Sequence, residues 1–292
     1  AVGDGVTDDT VAINRALSDL YIRDTAPTVR RVLYFPAGIY AVSDAIKIPT
    51  WATITGEGLD CTIIKGTSAS AAAVARTADS KQQIGASIGT NSATLPSHIT
   101  INDISFYAFV GTIPFQADVL TNSRFCRVGF TGSLTTTPTS AGSSLKTLGI
   151  TSSAVNESSN IIFESCEFSG SNFGVVVDDD MQSIIFNGCK FSKLFKGIVV
   201  GETILGSGAS LIGPRGIRVS NSLFDDIYSS GVHVYNDASF ISAYNSYLDV
   251  ADNLTGAAVE SIIIFADDGN SSISDYFVRN SVNNLIAERV SY

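Results

Sequence analysis

A repeat of 23 residues constrains this chain more than any other feature of its sequence. The segment 161–177 reads IIFESCEFSGSNFGVVV, and the segment 184–200 reads IIFNGCKFSKLFKGIVV. Five positions recur at this spacing: Ile161 and Ile184, Phe163 and Phe186, Cys166 and Cys189, Phe168 and Phe191, and Gly174 and Gly197. Further copies span 217–234 and 241–250, and fainter ones span 99–106 and 119–130. A period of 20–50 residues is typical of solenoids.

Within each copy, apolar residues alternate over short runs that Asn, Ser or Gly separate. This is the period of a β-strand and not of a helix. The sequence therefore predicts coils of about three short strands, stacked so that neighbouring coils pair in parallel about 4.8 Å apart. Inward side chains should form ladders, with Cys166 beside Cys189 and Phe168 beside Phe191. A jelly roll or β-sandwich is the alternative, but it does not explain the repeat.

The composition of the chain excludes some classes of binding partner. Hydrophobic residues make up 45% of the 292 residues, which allows a large core, and charged residues only 16%, against about 25% in typical proteins. The net charge of −10 argues against nucleic-acid and anionic-membrane partners. The sequence contains no run of 18 or more apolar residues, so it predicts no transmembrane helix.

Cysteine spacing gives no sign of a metal site, because the chain contains no CxxC or Cys/His cluster. We therefore expect no metal and no other cofactor. The cysteines should be buried free thiols, since free Cys behaves as a small hydrophobe; they are Cys61, Cys126, Cys166 and Cys189.

Three segments interrupt the repeat. Residues 66–97 are rich in Ala, Ser and Thr and predict an excursion with a short helix, and residues 131–148 predict a surface loop. Residues 201–213 add about ten residues between two copies. Insertions in solenoids leave at the turns and often build the binding face.

The N-terminus carries a helix signature. Thr7 can cap the first turn, where Asp8 and Asp9 would favour the positive helix end. The apolar residues that follow lie on one helical face: Ile13, Ala16, Leu17 and Leu20. Such a helix can cover the open hydrophobic end of a solenoid.

Three N-terminal motifs together carry a family resemblance. GDGVTDDTVAINRAL (3–17), VLYFPAGIY (32–40) and ITGEGLDCTIIKG (54–66) occur in order, and this module resembles that of the pectate-lyase-like superfamily. The resemblance implies an all-β, right-handed parallel β-helix with an N-terminal capping α-helix. We expect a single domain over 1–292, with a capping module at 1–66 and repeated coils at 99–292.

That superfamily contains polygalacturonases, glucanases, polysaccharide lyases, epimerases and phage tailspikes, so the module implies the fold without fixing the chemistry. The acidic, Ser/Thr/Asn-rich composition is most similar to a phage tailspike or tail-appendage protein, and the abrupt opening AVGDGVTDDT predicts a piece of a longer chain. The polygalacturonase motifs are missing.

The tailspike resemblance implies a location in the virion tail, outside the cell. It also implies a homotrimer, contacts with other phage tail proteins, and binding and cleavage of a cell-surface polysaccharide. Val176 and Val199 should form an outward apolar strip, which a trimer could cover.

Candidate chemistry follows from aligning Gly174, Gly197 and Gly231. Asp179, Glu202 and Asn236 then lie five residues on, and Asp180, Thr203 and Asp237 six residues on. Asp179 and Glu202 would be one coil apart, roughly 5 Å, as in a retaining glycosidase; Asp180 and Asp237 would be two coils apart, about 9.5 Å, as in an inverting one. His233 and Tyr235 should point outward beside these acids and contact substrate. A one-residue slip after Phe224 is the alternative alignment.

Plainer interpretations compete with each assignment. Acidic runs are usually solvated turns, and an outward His233 could simply be exposed or at an interface. Trp51 is more often core than a sugar platform, and Phe106, Tyr107 and Phe109 suit a core or a subunit interface. Three hypotheses remain: a tailspike depolymerase, a receptor-binding appendage that does not cut, and a structural tail part.

Overall fold

The computed structural model describes most of the chain. The residues it describes are 1–21, 31–78, 96–139, 146–151, 158–177, 181–201, 214–234, 241–250, 263–267, 277–279 and 288–291.

One helix and a long series of short strands make up the described chain. Their bounds, in order, are β1 (Asp4–Asp8), α1 (Thr10–Tyr21), β2 (Leu33–Tyr34), β3 (Gly38–Val42), β4 (Ile46–Ile48), β5 (Thr53–Thr55), β6 (Thr62–Gly66), β7 (Ala73–Thr77), β8 (Thr100–Tyr107), β9 (Ile113–Asp118), β10 (Thr121–Thr131), β11 (Lys146–Thr151), β12 (Ser158–Glu164), β13 (Glu167–Ser169), β14 (Phe173–Val177), β15 (Met181–Asn187), β16 (Lys190–Val200), β17 (Arg215–Ser220), β18 (Leu223–Val234), β19 (Ser242–Tyr244), β20 (Tyr247–Val250), β21 (Ile263–Asp267), β22 (Phe277–Arg279) and β23 (Glu288–Ser291).

The strands form three faces of a right-handed parallel β-helix, the predicted fold, and the pairings between described strands are parallel. Face A contains β2, β5, β12, β15, β17, β19 and β22; face B contains β1, β3, β6, β13 and β20; face C contains β4, β7, β9, β11, β14, β21 and β23. Strands β8 and β10 bend from face A to face B, and β16 and β18 bend from face B to face C. The sandwich alternative is therefore wrong.

Single residues with positive φ turn the chain between faces A and B. In successive coils these residues have φ between 50° and 64°: Asp103, Arg127, Ser165, Gly188, Asn221 and Asn245. Gly, Asn and Asp adopt this conformation most readily. The amides also bond between coils, since Asn221 Nδ2 donates to Asn187 Oδ1 (2.8 Å) and Asn245 Nδ2 donates to Asn221 Oδ1 (2.6 Å).

Stacked aromatic rings fill the interior. Phe168 lies between Phe130 and Phe191, with ring centroids 5.1 and 4.8 Å away, and Phe224 continues this ladder. A second ladder joins Phe125, Phe163 and Phe186. Each fully buried ring contributes roughly 1.5–3 kcal/mol. The predicted Phe168–Phe191 contact is confirmed.

The cysteines follow the prediction in part. Cys166 and Cys189 are buried free thiols in contact with each other, as predicted, and burial raises the pKa of the Cys166 thiol well above its usual value. Cys61 is exposed and Cys126 half-buried, so burial was wrongly predicted for these two. Both lie at strand boundaries or on outward positions, where alternation points the side chain away from the core.

The capping helix is confirmed, but Thr7 does not begin it. Residues of β1 pair with β3, so the chain is extended through Asp8 and the helix begins at Thr10. Asp8 Oδ1 accepts a hydrogen bond from the Thr10 N–H at 3.0 Å. Hydrogen bonds from Ser43 and Thr10 lower the pKa of Asp8 to about 2, and the bond from the Ser43 hydroxyl contributes most. The helix buries Ile13 and Leu17 against the first coils.

Two of the predicted interruptions are shorter than expected. Strand β7 begins at Ala73 inside the predicted excursion, and β11 begins at Lys146 inside the predicted loop. In both places the chain returns to pair with face C. The predicted short helix falls at least partly on residues 79–95, which lie outside the described residues, as do residues 202–213.

Candidate functional site

The glycine alignment that locates the candidate acids is confirmed. Gly174, Gly197 and Gly231 lie in register on face C, because Val175 pairs with Ile198 and Ile198 pairs with Val232. A Cβ on Gly197 would come within 2.5 Å of the Gly231 carbonyl oxygen, so the backbones approach too closely for a side chain.

The predicted one-residue slip also exists, but a bulge absorbs it before the glycines. Leu194 pairs with Ile227, whereas Lys196 pairs with Ser230, so β18 has one more residue than β16 in this interval. Such bulges re-aim side chains and often occur beside active sites. Downstream of the bulge, Val200 and Val234 are again in register.

The candidate acids follow directly after these strands. Val177, Val200 and Val234 are neighbours at the ends of β14, β16 and β18. The proposed residues beyond them lie outside the described residues: Asp179, Asp180, Glu202, Tyr235 and Asp237. Their separations therefore stay predictions, which rest on continuing the observed register past Val177, Val200 and Val234.

His233 points to the outer side of face C, as predicted from its alternation with Val232 and Val234. It pairs with Val199 on one side and Ile264 on the other. It is, however, only 5% exposed, so the alternative of a simply exposed histidine is wrong. Strand alternation gives the direction of a side chain and not what lies over that side of the sheet.

A second apolar cluster includes Val199, the strand neighbour of His233. Val176 and Val199 are 4% and 3% exposed and pack with Phe173 and Phe195 on the outer side of face C. The strip that we expected a trimer to cover is therefore already buried within one chain. This removes the physical argument for a trimer that rested on these valines.

A polar cluster lies next to these side chains. Nδ1 of His233 is 3.4 Å from Oγ of Ser230, and Lys196 pairs with Ser230 on the neighbouring coil. All three residues are buried. Sequence reasoning missed Lys196 and Ser230, although the glycine alignment places them one residue before Gly197 and Gly231.

This environment fixes the charge of His233. Burial, and secondarily the positive charge of Lys196, lowers the pKa of the imidazole to about 3. The ring is therefore neutral at neutral pH. A neutral imidazole can donate or accept a hydrogen bond, but it cannot supply the proton that a general acid must give.

The outward column of His233 extends along face C toward the N-terminus. In register it contains Lys47, Arg76, Gln116, Gly149, Val176, Val199 and His233. Arg76 Nη2 donates to Asp118 Oδ2 at 2.6 Å, and Gln116 Nε2 donates to Asp118 Oδ1 at 3.0 Å. This end of the column is thus polar and half-buried, and the other end is apolar and buried.

The aromatic residues considered as core residues or sugar platforms lie partly in the core and partly on the surface. Phe106 is core, whereas Phe109 is partly exposed. Trp51, expected in the core, is 54% exposed and stacks on His98 with ring centroids 3.9 Å apart. It occupies a corner position between β4 and β5, where the backbone has positive φ.

No group of three or more His, Cys, Asp or Glu side chains among the described residues could hold a metal ion. No helix of the described chain is long and apolar enough to cross a membrane.

Comparison with known families identifies the chain at the family level. Residues 1–212 match the family described as "Rhamnogalacturonase A/epimerase, pectate lyase-like". The chain belongs to this family. The match covers the capping module and the coils through β16.

The chain is also similar to individual proteins. The pre-neck appendage protein of Bacillus phage B103 is 41% identical over 64 residues, which is 22% of this chain and 6% of that protein. ORF18 of Geobacillus virus E2 has a TM-score of 0.55 and 16% identity, covering 99% of this chain and 58% of the other. The Streptococcus pneumoniae surface adhesin PfbA has a TM-score of 0.64 and 13% identity, covering 100% and 79%.

The structural matches and the sequence match support different conclusions. At 16% and 13% identity the two structural matches show the shared β-helix alone. The chain spans 6% of the phage appendage protein and 58% of the Geobacillus virus chain.

Proposed function

We propose that this chain is part of a phage tail-appendage protein that binds and cleaves a bacterial surface polysaccharide. The observation that carries the proposal is the 41% identity to a phage pre-neck appendage protein, within a chain of the rhamnogalacturonase and epimerase family. The family supports an activity on carbohydrate, and the relative supports a virion location outside the cell.

Cleavage would take place on the outer side of face C, where β14, β16 and β18 end. We propose Asp179 and Glu202 as the carboxylate pair, with Asp180 and Asp237 as the second choice. The register of Val177 with Val200 supports this placement, because continuing it puts Asp179 one coil from Glu202, roughly 5 Å away. Two carboxylates at this distance would raise the pKa of one of them, as a general acid requires.

The buried cluster beneath these acids would position substrate. His233 is neutral and buried, so it would support the floor of the groove, and Tyr235, two residues further along the chain, would contact the sugar. Lys196 would attract an anionic sugar or a developing negative charge. None of these three residues acts as the proton donor in this proposal.

The assembly is proposed from resemblance alone. We propose a single domain over 1–292, and a complete protein that forms a homotrimer and contacts other phage tail proteins. Light scattering of the complete protein tests the trimer, and a monomeric mass would contradict it.

A non-catalytic receptor-binding or structural appendage is the second candidate. The phage relative supports it, because a pre-neck appendage protein is named for its place in the virion and not for a catalytic activity.

One experiment separates the two candidates. The chain is applied to an array of bacterial capsule and O-antigen polysaccharides, and each bound glycan is then assayed for new reducing ends. Binding with release of reducing ends supports the depolymerase. Binding without release supports the receptor-binding appendage. No binding to any glycan contradicts both the depolymerase and the receptor-binding appendage, and supports a structural appendage.

A further inference from the structure

A second surface of the molecule carries exposed aromatic and amide side chains, at the corner between faces C and A. One residue of each coil takes positive φ here, and the first described coils place Trp51, His98, Asn122 and Asn160 in register. All four are exposed. We call these four residues the aromatic–amide ridge. It is separate from the outer side of face C.

The aromatic half of the ridge is a stacked pair. The rings of Trp51 and His98 lie 3.9 Å apart with an interplanar angle of 12°, and Trp51 remains 54% exposed. Both have positive φ, 67° and 55°. The corner requires this conformation in each described coil, so two bulky residues that rarely adopt it occupy successive corner positions.

The backbone holds this pair firmly. The Trp51 N–H donates to the Ser97 carbonyl at 2.9 Å, and the His98 N–H donates to the Thr121 carbonyl at 3.1 Å. Oγ of Ser97 also lies 3.1 Å from Nδ1 of His98. The pair is thus fixed on a rigid scaffold, which reduces the entropy lost on binding.

The amide half continues the ridge on the next two coils. Asn160 Nδ2 donates to Asn122 Oδ1 at 2.8 Å. A primary amide has two donor hydrogens and an oxygen with two lone pairs, so this bond leaves each amide able to bind hydroxyls. The ridge contains no carboxylate, ammonium or guanidinium group.

We propose that the aromatic–amide ridge is a saccharide subsite. A pyranose packs its apolar C–H face on the side of the Trp51 indole that His98 leaves free. The glycan continues past His98, and hydroxyls of later sugar units bond to Asn122 and Asn160. The coil spacing of about 4.8 Å separates Trp51 from Asn122 by about 10 Å, which favours consecutive units of one glycan. This rests on the proposed function, because it takes the same polysaccharide as occupant.

The fluorescence of Trp51 gives a direct test, because it is the only tryptophan in the chain. An oligosaccharide that binds on the glycan array is titrated into the 292-residue chain. We expect a blue shift of the emission and protection from acrylamide quenching. Trp51→Ala should weaken the affinity about tenfold, and Asn122→Ala should weaken it by a smaller factor.

Tyr247→Ala is the matched control, since Tyr247 is 49% exposed but lies on face B. It should leave the affinity unchanged, and thermal melts should show that all variants fold. If the oligosaccharide binds with no change in emission and equal affinity for all variants, the ridge proposal is overturned and the proposed function stands. Equal losses in Trp51→Ala and Tyr247→Ala also overturn it. Failure of every glycan to bind overturns both proposals.

Discussion

Oγ of Ser230 lies 3.4 Å from Nδ1 of His233, and both side chains are buried. Lys196 lies beside Ser230 on the neighbouring coil, and its charge adds to the burial that lowers the pKa of His233. A folded protein that keeps this imidazole neutral must unfold more easily in acid, because the unfolded chain can protonate it.

The first prediction is a loss of stability below pH 6.5 that depends on His233. The pKa is about 3 in the folded chain and 6.5 as its ordinary value, so the unfolded state binds more protons between these values and stability falls as the pH falls. From pH 7 to pH 4.5 the loss should be about 3 kcal/mol. Urea unfolding at the two pH values measures it.

His233→Gln is the matched variant, because it keeps a polar side chain without a titrating ring. Its stability should change much less over the same pH interval. Asp8 does not obscure the comparison: its pKa is lowered to about 2, so its contribution is lost only below about pH 4. An equal pH dependence in both proteins would contradict the assignment to His233.

The second prediction concerns the stacked glycines. Gly197→Ala should destabilise the fold by about 1–3 kcal/mol, because the new Cβ would overlap the Gly231 carbonyl and the Phe224 ring. Gly111→Asn is the control. Gly111 has φ +81° and no atom within 4 Å of its Cβ position, and Asn tolerates this conformation. Denaturant melts that show no difference between the two variants would contradict close packing at the glycine column.

The third prediction concerns the aromatic ladder. Phe168 stacks on rings at both sides, so Phe168→Ala should cost about 3–5 kcal/mol in unfolding free energy. Phe109→Ala, at a partly exposed position, should cost much less. Equal midpoints in urea would show that the ladder does not stabilise the coils.

The repeat predicts the fold because each inward position must be filled in every coil. The spacing of Phe168 and Phe191 therefore predicts that the two rings are in contact, and the spacing of the glycines predicts their register. The repeat does not predict which outward residues become buried, and for this reason it does not reveal the burial of His233. The prediction that Trp51 lies in the core is wrong for a different reason. The corner column to which Trp51 belongs otherwise contains mainly Asn, Ser, Gly and His, and only the strand register reveals that Trp51 is part of it.

The last prediction tests the proposed carboxylates. Glu202→Gln and Asp179→Asn change shape little but remove proton transfer or nucleophilic attack. If the chain cleaves polysaccharide, at least one of them should lower turnover by orders of magnitude, measured as reducing ends released from the glycan that binds. Affinity for that glycan should survive in both variants, since the substituted groups act on the bond and the remaining contacts hold the chain. Asp225→Asn is the control, because this acid lies on face B in an ion pair with Lys190. Full activity in both candidate variants would remove Asp179 and Glu202 from the mechanism and direct attention to Asp180 and Asp237.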